Sequence, residues 1–93
     1  MFNFDWDWDV QKATSNLLKH GVSFDEAVSV FGDTLALTFF DTDHSEFEER
    51  SRTYGISSRA RLLVVVHTER HDGIRIISAR KATRYEKSIY GNG

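Results

Sequence analysis

The chemistry open to this chain rests on histidine, glutamate and arginine side chains. His20 follows Lys19, and Glu49 directly precedes Arg50. Metal-free cleavage of RNA needs a base for the 2′-OH, an acid for the departing 5′ oxygen and cations around the phosphorane-like transition state. A His or Glu side chain can move the proton, and Arg or Lys side chains can stabilise the charge. Tyrosine rings, of which Tyr54 and Tyr85 are candidates, can stack on bases.

Other kinds of site are disfavoured by the sequence. There is no cysteine, so neither a disulfide framework nor a thiolate metal site is expected. Among the four histidines only His67 and His71 have HxxxH spacing, and they fall on a predicted strand and in a hairpin loop rather than on one helix face, so the case for a metal site is poor. A glycine-rich phosphate loop and a nucleophile elbow are also absent from the sequence. We therefore expect neither a metal nor a cofactor.

Charge is divided unequally between the two halves of the chain, although its net value is only −2. Residues 1–49 contain two basic and eleven acidic residues, whereas residues 50–93 contain ten basic and three acidic ones. Eight of the ten bases are arginine, whose planar guanidinium suits phosphate recognition. The second half is therefore expected to bind a nucleic acid. The alternative is that the two halves neutralise each other across the fold.

The length of 93 residues predicts one domain spanning residues 1–93. The longest apolar run, residues 62–66, is far shorter than the roughly 20 residues that a membrane helix needs. The first nine residues carry acids where a signal peptide has a basic region and an unbroken apolar stretch. We expect a soluble cytoplasmic protein that does not engage a membrane.

The first third of the chain predicts a strand followed by two helices. Residues 2–8 alternate aromatic and polar side chains, which is typical of a half-buried strand. Asp9 is placed to cap a helix over Val10–His20, and Gly21 to end it in a left-handed conformation. Ser23 and Glu26 form a capping box for a second helix that ends near residue 32.

The remainder predicts four strands, over residues 35–40, 50–56, 62–68 and 74–79. Their short connections favour an antiparallel meander, with an exposed acidic loop over residues 41–49 and a hairpin loop over residues 69–73. Thr83 and Glu86 form a capping box for a short C-terminal helix that reaches Tyr90. The predicted fold class is α+β, with an N-terminal strand and two helices packed on an antiparallel meander sheet and a short C-terminal helix.

Alternation along the strands assigns the cations to sheet faces. Arg50, Arg52 and Tyr54 are expected to share one face. In the last strand, one face is expected to carry Ile74, Ile76, Ser78 and Arg80, and the other Arg75, Ile77, Ala79 and Lys81. Arginine-rich strands would give the open face of the sheet a surface for an anionic ligand. Lys81, Arg84 and Lys87 would extend this charge onto the last helix.

Each candidate also has a purely structural interpretation. His67 follows Leu63 and Val65 on an apolar side of its strand, where a histidine at the edge of the core is common. For His20, the structural interpretation is that it stabilises the dipole at the C-terminal end of its helix and has no other role. Arg50 and Arg52 can pair with Glu48 and Glu49 in exposed salt bridges, which contribute little to stability.

An ordered series of motifs resembles the BrnT toxin family over nearly the whole chain. The first part contains Trp-Asp-x-x-Lys at 8–12, Asn16, Lys-His-Gly at 19–21 and Ser-Phe-x-Glu-Ala at 23–27. The middle contains Asp-His-Ser at 43–45, Glu-Glu-Arg at 48–50, Gly-x-Ser-Ser at 55–58 and Leu-Leu-Val-Val-Val-His-Thr-Glu-Arg at 62–70. The last part contains Ile-Arg-Ile-Ile-Ser-Ala-Arg-Lys-Ala-Thr at 74–83.

The resemblance implies a RelE-like fold and the function of a type II toxin that cleaves RNA and blocks translation. It implies a BrnA-like antitoxin, a ribbon–helix–helix DNA-binding protein, and a complex that binds operator DNA only through this antitoxin. It also implies functional roles for His20, Arg50 and Arg80, with Arg84 as a phosphate contact.

The combined hypothesis is a metal-independent endoribonuclease. His20 or Glu49 would handle a proton, and Arg50 and Arg80 would stabilise the transition state. The residues expected to hold RNA are Lys19, Arg52, Tyr54, His67, Lys81, Arg84 and Tyr85. Two other classes stay open: a non-enzymatic regulator that only binds nucleic acid or the ribosome, and an interaction module that works through the acidic half.

Overall fold

A five-stranded mixed sheet forms the middle of the structure, a computed structural model that describes residues 5–41 and 49–91. Its strands are β1 (Asp5–Asp7), β2 (Leu37–Asp41), β3 (Arg50–Ile56), β4 (Leu62–Arg70) and β5 (Gly73–Lys81), in the order β1-β5-β4-β3-β2. Strands β2 to β5 pair antiparallel, which confirms the predicted meander. β1 pairs parallel with β5, so the sheet is not purely antiparallel. This orientation is possible because most of the chain separates the two strands, and no tight turn constrains them.

Helix α1 (Val10–His20) has both of its predicted ends. The Asp9 carboxylate accepts hydrogen bonds from the backbone N–H groups of Gln11 and Lys12, at 2.8 and 3.3 Å. Gly21 adopts φ 68°, and its N–H donates to the Leu17 carbonyl at 2.9 Å. A residue with a Cβ would be strained at this φ, which explains the glycine.

Helix α2 (Phe24–Ser29) is followed directly by a 3₁₀ turn (Val30–Gly32), so the predicted second helix ends in a tighter turn. Its capping box forms only in part. Ser23 Oγ accepts from the Glu26 N–H at 3.0 Å, but the Glu26 carboxylate does not turn back towards Ser23. It accepts instead from Ser57 Oγ at 2.6 Å and from Arg61 Nε at 2.9 Å. Glu26 therefore joins α2 to the turn between β3 and β4.

Helix α3 (Arg84–Gly91) has the complete capping box that the sequence predicts. Thr83 Oγ1 accepts from the Glu86 N–H at 3.2 Å, and Glu86 Oε1 accepts from the Thr83 N–H at 2.9 Å. The Tyr90 hydroxyl donates to Asp33 Oδ2 at 2.6 Å, which links the end of α3 to the segment before β2. None of the helices within the described ranges is long and apolar enough to span a bilayer.

Two predicted boundaries move for local reasons. β2 begins at Leu37 rather than at residue 35, because the Asp33 carboxylate accepts from the Leu35 N–H at 2.9 Å and holds this segment in a turn. β4 and β5 extend farther towards their connecting turn than expected, so only His71 and Asp72 lie between the two strands. Residues 2–4 of the predicted first strand and residues 42–48 of the predicted acidic loop lie outside the described residues.

The core lies between the two N-terminal helices and one face of the sheet, which we call the helix face. This face contributes Leu63, Val65, Ile76 and Ala79, all at most 1% exposed, and it packs against Val22, Phe24, Ala27 and Val30. The opposite face, here called the outer face, carries Arg52, Tyr54, Val64 and Arg80 and is partly covered by α3.

A bulge in β5 changes which of its residues share a face. Val66 pairs with Ser78, but the next residue of β4, His67, pairs with Ile76, so Ile77 is an extra residue in β5. Ile76 and Ala79 consequently both lie in the core, although they are three positions apart. The predicted grouping of Ile76 with Arg80 on one face is therefore wrong. Strict alternation fails because a bulge reverses the direction of every side chain beyond it.

The outer edge of β5 is covered in two ways. β1 pairs only with Gly73–Arg75, and a Cβ on Gly73 would lie 1.8 Å from the Asp5 carbonyl oxygen, so this close approach requires glycine. Farther along, the Asn16 amide pairs with the backbone of Ala79. Asn16 Nδ2 donates to the Ala79 carbonyl at 2.8 Å, and the Ala79 N–H donates to Asn16 Oδ1 at 3.1 Å.

Candidate functional site

A groove with basic side chains lies between α1 and the outer edge of β5. Its volume is about 400 Å³, and its lining residues are Gln11, Lys12, Ser15, Asn16, Lys19, His20, Ile77 and Ser78. Lys12 and Lys19 are exposed, and His20 is half-buried. The groove brings together Lys19 and His20, as the sequence suggested. It adds Lys12 and Ser78, which lie far apart in the sequence and were not predicted as site residues.

Asn16 positions α1, and with it His20, against β5. Besides its two bonds to Ala79, its Nδ2 donates to the Val22 carbonyl at 2.9 Å. The side chain thus uses both amide hydrogens and its carbonyl while only 7% of the residue is exposed. The sequence held a signal for this role, because positions 13, 16 and 20 share one face of the helix and Asn16 is polar in its middle.

On the outer face, Arg80 forms a bidentate ion pair with Glu86 of α3. The Nη1–Oε1 distance is 2.6 Å and the Nη2–Oε2 distance is 2.9 Å. These hydrogen bonds from Arg80 lower the pKa of Glu86 to about 2, although burial of the carboxyl acts in the opposite direction. Arg80 was predicted to bind a reacting phosphate, yet two of its N–H groups bind a carboxylate of the same chain. The ion pair was missed because the sequence assigned Glu86 only to the capping box.

The Arg80–Glu86 pair predicts a particular loss of stability in acid. The pKa of Glu86 in the folded chain, about 2, lies below its ordinary value of 4.5. The stabilisation is therefore complete above about pH 4.5 and is lost as the pH falls towards about 2. We expect the free energy of unfolding to fall more steeply across this range in the wild type than in Glu86→Gln, as measured by urea unfolding with tryptophan fluorescence. Parallel pH profiles for the two proteins would contradict this role of Glu86.

The aromatic residues of the outer face differ in their exposure. Tyr54 is 4% exposed, and its ring meets the Phe39 ring edge-on at a centroid distance of 5.6 Å. This burial is incompatible with the predicted stacking of Tyr54 on an RNA base. Tyr85 on α3 is 74% exposed, so its ring is accessible to a base. Arg52 is half-buried and lines a pocket together with Phe39 and Tyr85.

His67 lies in the core and not on a binding surface. It is 2% exposed, its Nε2 lies 2.7 Å from Thr53 Oγ1, and its ring is edge-on to Phe31 at 4.9 Å. Burial lowers the pKa of His67 to about 4, so the ring is neutral at neutral pH. The predicted contact between His67 and RNA is therefore wrong for the folded chain, and the structural interpretation of this histidine holds.

The remaining predicted residues lie around the outer face and its rim. Arg50 is half-buried and starts β3, on the same side as Arg52 by alternation. Glu49 is exposed, and its carbonyl accepts from Thr68 Oγ1 at 2.6 Å. Lys81 and Arg84 are exposed at the end of β5 and the start of α3.

The predicted site thus divides into two regions that meet at one strand. Lys19 and His20 lie in the groove, whereas Arg50, Arg52 and Arg80 belong to the outer face. Ser78 lines the groove and is two residues from Arg80 along β5, so it joins the two regions. A flexible polyanion can contact both regions by passing over the β5 edge.

Comparison with known proteins finds a family model and a solved structure that are similar to this chain. A family model described as the ribonuclease toxin BrnT of a type II toxin–antitoxin system matches residues 8–86. Among solved structures, the chain is similar to the Brucella abortus ribonuclease toxin BrnT, known from a crystal structure at 1.1 Å resolution. The TM-score is 0.69 at 21% sequence identity, and the alignment covers 88% of this chain and 100% of that chain. This likeness indicates a shared fold. Among curated proteins, none matches the sequence.

Proposed function

This chain belongs to the family of BrnT ribonuclease toxins of type II toxin–antitoxin systems, and we propose that it is an endoribonuclease that cleaves RNA without a metal ion. The observation that supports the proposal best is the junction of two cationic regions at β5. His20 and Lys19 approach this strand from the α1 side, and Arg80 projects from it on the outer face. An RNA strand that crosses the edge would meet a titratable side chain and an arginine in succession.

In the proposed reaction the 2′-OH attacks the adjacent phosphorus. His20 or Glu49 accepts the hydroxyl proton as the new P–O bond forms, and the bond to the 5′ oxygen breaks. A water molecule then gives a proton to the departing 5′ oxygen, which leaves a 2′,3′-cyclic phosphate and a 5′-hydroxyl. Arg50 and Arg80 stabilise the negative charge on the phosphorane-like transition state. Glu86 and the Lys81 carbonyl engage three of the five N–H donors of Arg80, so the other two can serve a phosphate.

The proposed cellular role is that of a translation-blocking toxin in the cytoplasm. Lys19, Arg52, Lys81, Arg84 and Tyr85 hold the RNA. Membership of a type II family implies an antitoxin, which we propose to be a BrnA-like ribbon–helix–helix protein. The toxin would reach operator DNA only as part of the complex with this antitoxin.

The test is cleavage of single-stranded RNA by the purified chain in the presence of EDTA. We expect cleavage to continue, to yield 2′,3′-cyclic phosphate ends, and to stop at a position where a 2′-deoxy nucleotide replaces the ribonucleotide. Intact RNA at protein concentrations that arrest translation would exclude metal-independent cleavage. His20→Gln tests the role of His20 in proton transfer, because glutamine keeps a polar side chain but cannot accept the hydroxyl proton as a base.

A non-enzymatic nucleic-acid-binding regulator is the second candidate, and the Arg80–Glu86 pair favours it. An arginine held by a carboxylate is suited to positioning a helix, and the remaining surface cations suffice for salt-dependent binding. Under this alternative the chain binds RNA with strong salt dependence but leaves it uncut, and His20→Gln has no effect on translation arrest.

A further inference from the structure

A pocket on the outer face lies between α3 and strands β2 and β3. Its volume is about 360 Å³, and it is lined by Phe39, Arg52, Tyr54, Tyr85, Glu86 and Ile89. We propose that this pocket binds one unpaired base of the RNA. This inference rests on the proposed function and adds a binding site for the substrate. Phe39, Glu86 and Ile89 were not expected to contact RNA from the sequence.

The walls of the pocket suit an aromatic ring. Phe39 is 45% exposed and Tyr85 is 74% exposed, so both present accessible ring surface. Tyr54 closes the base of the pocket, and its edge-on contact fixes the orientation of Phe39. Two rings on separate elements can flank a planar base, and such stacking is the usual way in which proteins hold unpaired bases. A base inside a duplex does not expose its faces in this way.

The polar groups of the pocket suit a base better than a phosphate. Arg52 supplies N–H donors, and the Glu86 carboxylate supplies an acceptor. Base edges carry both donors and acceptors, so they can add hydrogen bonds to those that these side chains already make within the chain. A phosphate entering this pocket would be repelled by the Glu86 carboxylate. On the side of Phe39 and Ile89 it would contact only apolar or aromatic surface. The backbone of the RNA would instead follow the cations along the rim, such as Arg84 at the start of α3.

β2 offers a matched pair of variants. Phe39 and Phe40 are neighbours in one strand with similar exposure, 45% and 53%, but alternation places them on opposite faces. Only Phe39 lines the pocket. Substitution of each by alanine therefore removes the same ring from the same edge strand, and the pocket proposal predicts that only one substitution weakens binding. Tyr85→Ala provides a second pocket variant at an exposed helix position that makes no core contact.

The experiment measures binding of a mixed-sequence 2′-O-methyl RNA decamer, which resists cleavage, by fluorescence anisotropy. The same decamer without bases is the second ligand. We expect Phe39→Ala and Tyr85→Ala each to weaken binding of the base-containing strand by roughly 5- to 150-fold, the range for loss of one stacked base. Phe40→Ala should stay within about twofold of the wild type, and the abasic strand should bind the wild type and Phe39→Ala equally.

Three outcomes would overturn the pocket proposal. The first is that the wild type does not bind the decamer, and the second is that Phe39→Ala and Phe40→Ala lose equal affinity for it. The third is that Phe39→Ala loses as much affinity for the abasic strand as for the base-containing one. The assay does not depend on catalysis. A chain that binds in this pattern but leaves natural RNA intact would retain the pocket and lose the proposed ribonuclease activity. A chain that cleaves RNA but does not show this binding pattern would retain the proposed ribonuclease activity and lose the pocket proposal.

Discussion

Arg61→Ala is expected to destabilise the fold by about 1–3 kcal/mol, the cost of leaving the Glu26 carboxylate short of hydrogen-bond donors. The Glu26 side chain is 4% exposed and that of Arg61 is 24% exposed. Arg61 bonds both carboxylate oxygens of Glu26 and also donates to the Gly21 carbonyl at 3.0 Å. Its loss would leave the carboxylate with Ser57 as its remaining side-chain donor. Urea unfolding followed by tryptophan fluorescence gives the change in free energy.

Arg59→Ala is the control for the effect of removing one positive charge from the same turn. Arg59 is exposed, so its removal should change the free energy of unfolding by less than about 0.5 kcal/mol. The hydrogen bonds from Arg61 also lower the pKa of Glu26, so the stabilisation exists above the ordinary carboxyl range and declines in acid. Equal stabilities of the two variants at neutral pH would show that the ion pair does not hold this part of the fold.

Arg80→Ala is expected to have two large effects. Removal of one cation from the transition state should slow RNA cleavage by about 10²- to 10³-fold. It should also destabilise the fold by about 1–3 kcal/mol, because Glu86 is 8% exposed and loses both of its hydrogen bonds from Arg80. The role that the sequence assigned to Arg80, stabilisation of the transition state, accounts only for the first effect, and the ion pair accounts for the second. Cleavage rates and urea unfolding of the same preparation measure the two effects.

The double variant Arg80→Ala with Glu86→Gln separates these effects, because it removes the unpaired buried charge together with the arginine. Stability should recover in part, whereas cleavage should stay slow. Lys87→Ala, at an exposed position of α3 that is not assigned to RNA binding, controls for the loss of positive charge near the site. If cleavage recovered together with stability in the double variant, Arg80 would have a structural role only, and its assignment to the transition state would be wrong.

The elements that the sequence predicted well are those with local signals. Asp9 and Gly21 define α1 through contacts within four residues, and Thr83 with Glu86 defines the start of α3 in the same way. The meander followed from short connections and from the apolar run in β4. These features depend on neighbours along the chain, which pattern analysis can detect.

The features that escaped prediction depend on residues distant in the sequence. The bulge at Ile77 has no strong local mark, and it invalidates the assignment of sheet faces by alternation. The burial of His67 was indicated by its apolar face, but its partners were not, because they depend on the register of β4 against β3 and on Phe31 in the 3₁₀ turn. The Glu26–Arg61 pair spans 35 positions, and a local capping box was the simpler interpretation of Glu26.

The candidate site was predictable in its residue types more than in its arrangement. The groove that holds Lys19 and His20 was not predicted, nor was the common outer face of Arg50, Arg52 and Arg80, because both depend on how distant elements pack. Phe39 was missed because an aromatic residue in a strand usually signals core. Its contribution to a pocket depends on where α3 packs, and that position is set by the contacts of Glu86 and Tyr90 with other elements.

The bond between Asn16 and Ala79 has a further consequence for how the molecules behave at high concentration. An open strand edge is a template on which another chain can add a strand, and such additions lead to aggregation. β1 occupies the edge of β5 at Gly73–Arg75, and the Asn16 amide satisfies the Ala79 backbone, with the bulged Ile77 between them. One amide side chain thereby makes the two backbone hydrogen bonds that a residue of an added strand would make. The chain keeps a groove beside β5, and at Ala79 the edge offers no unpaired backbone groups to a second copy of itself.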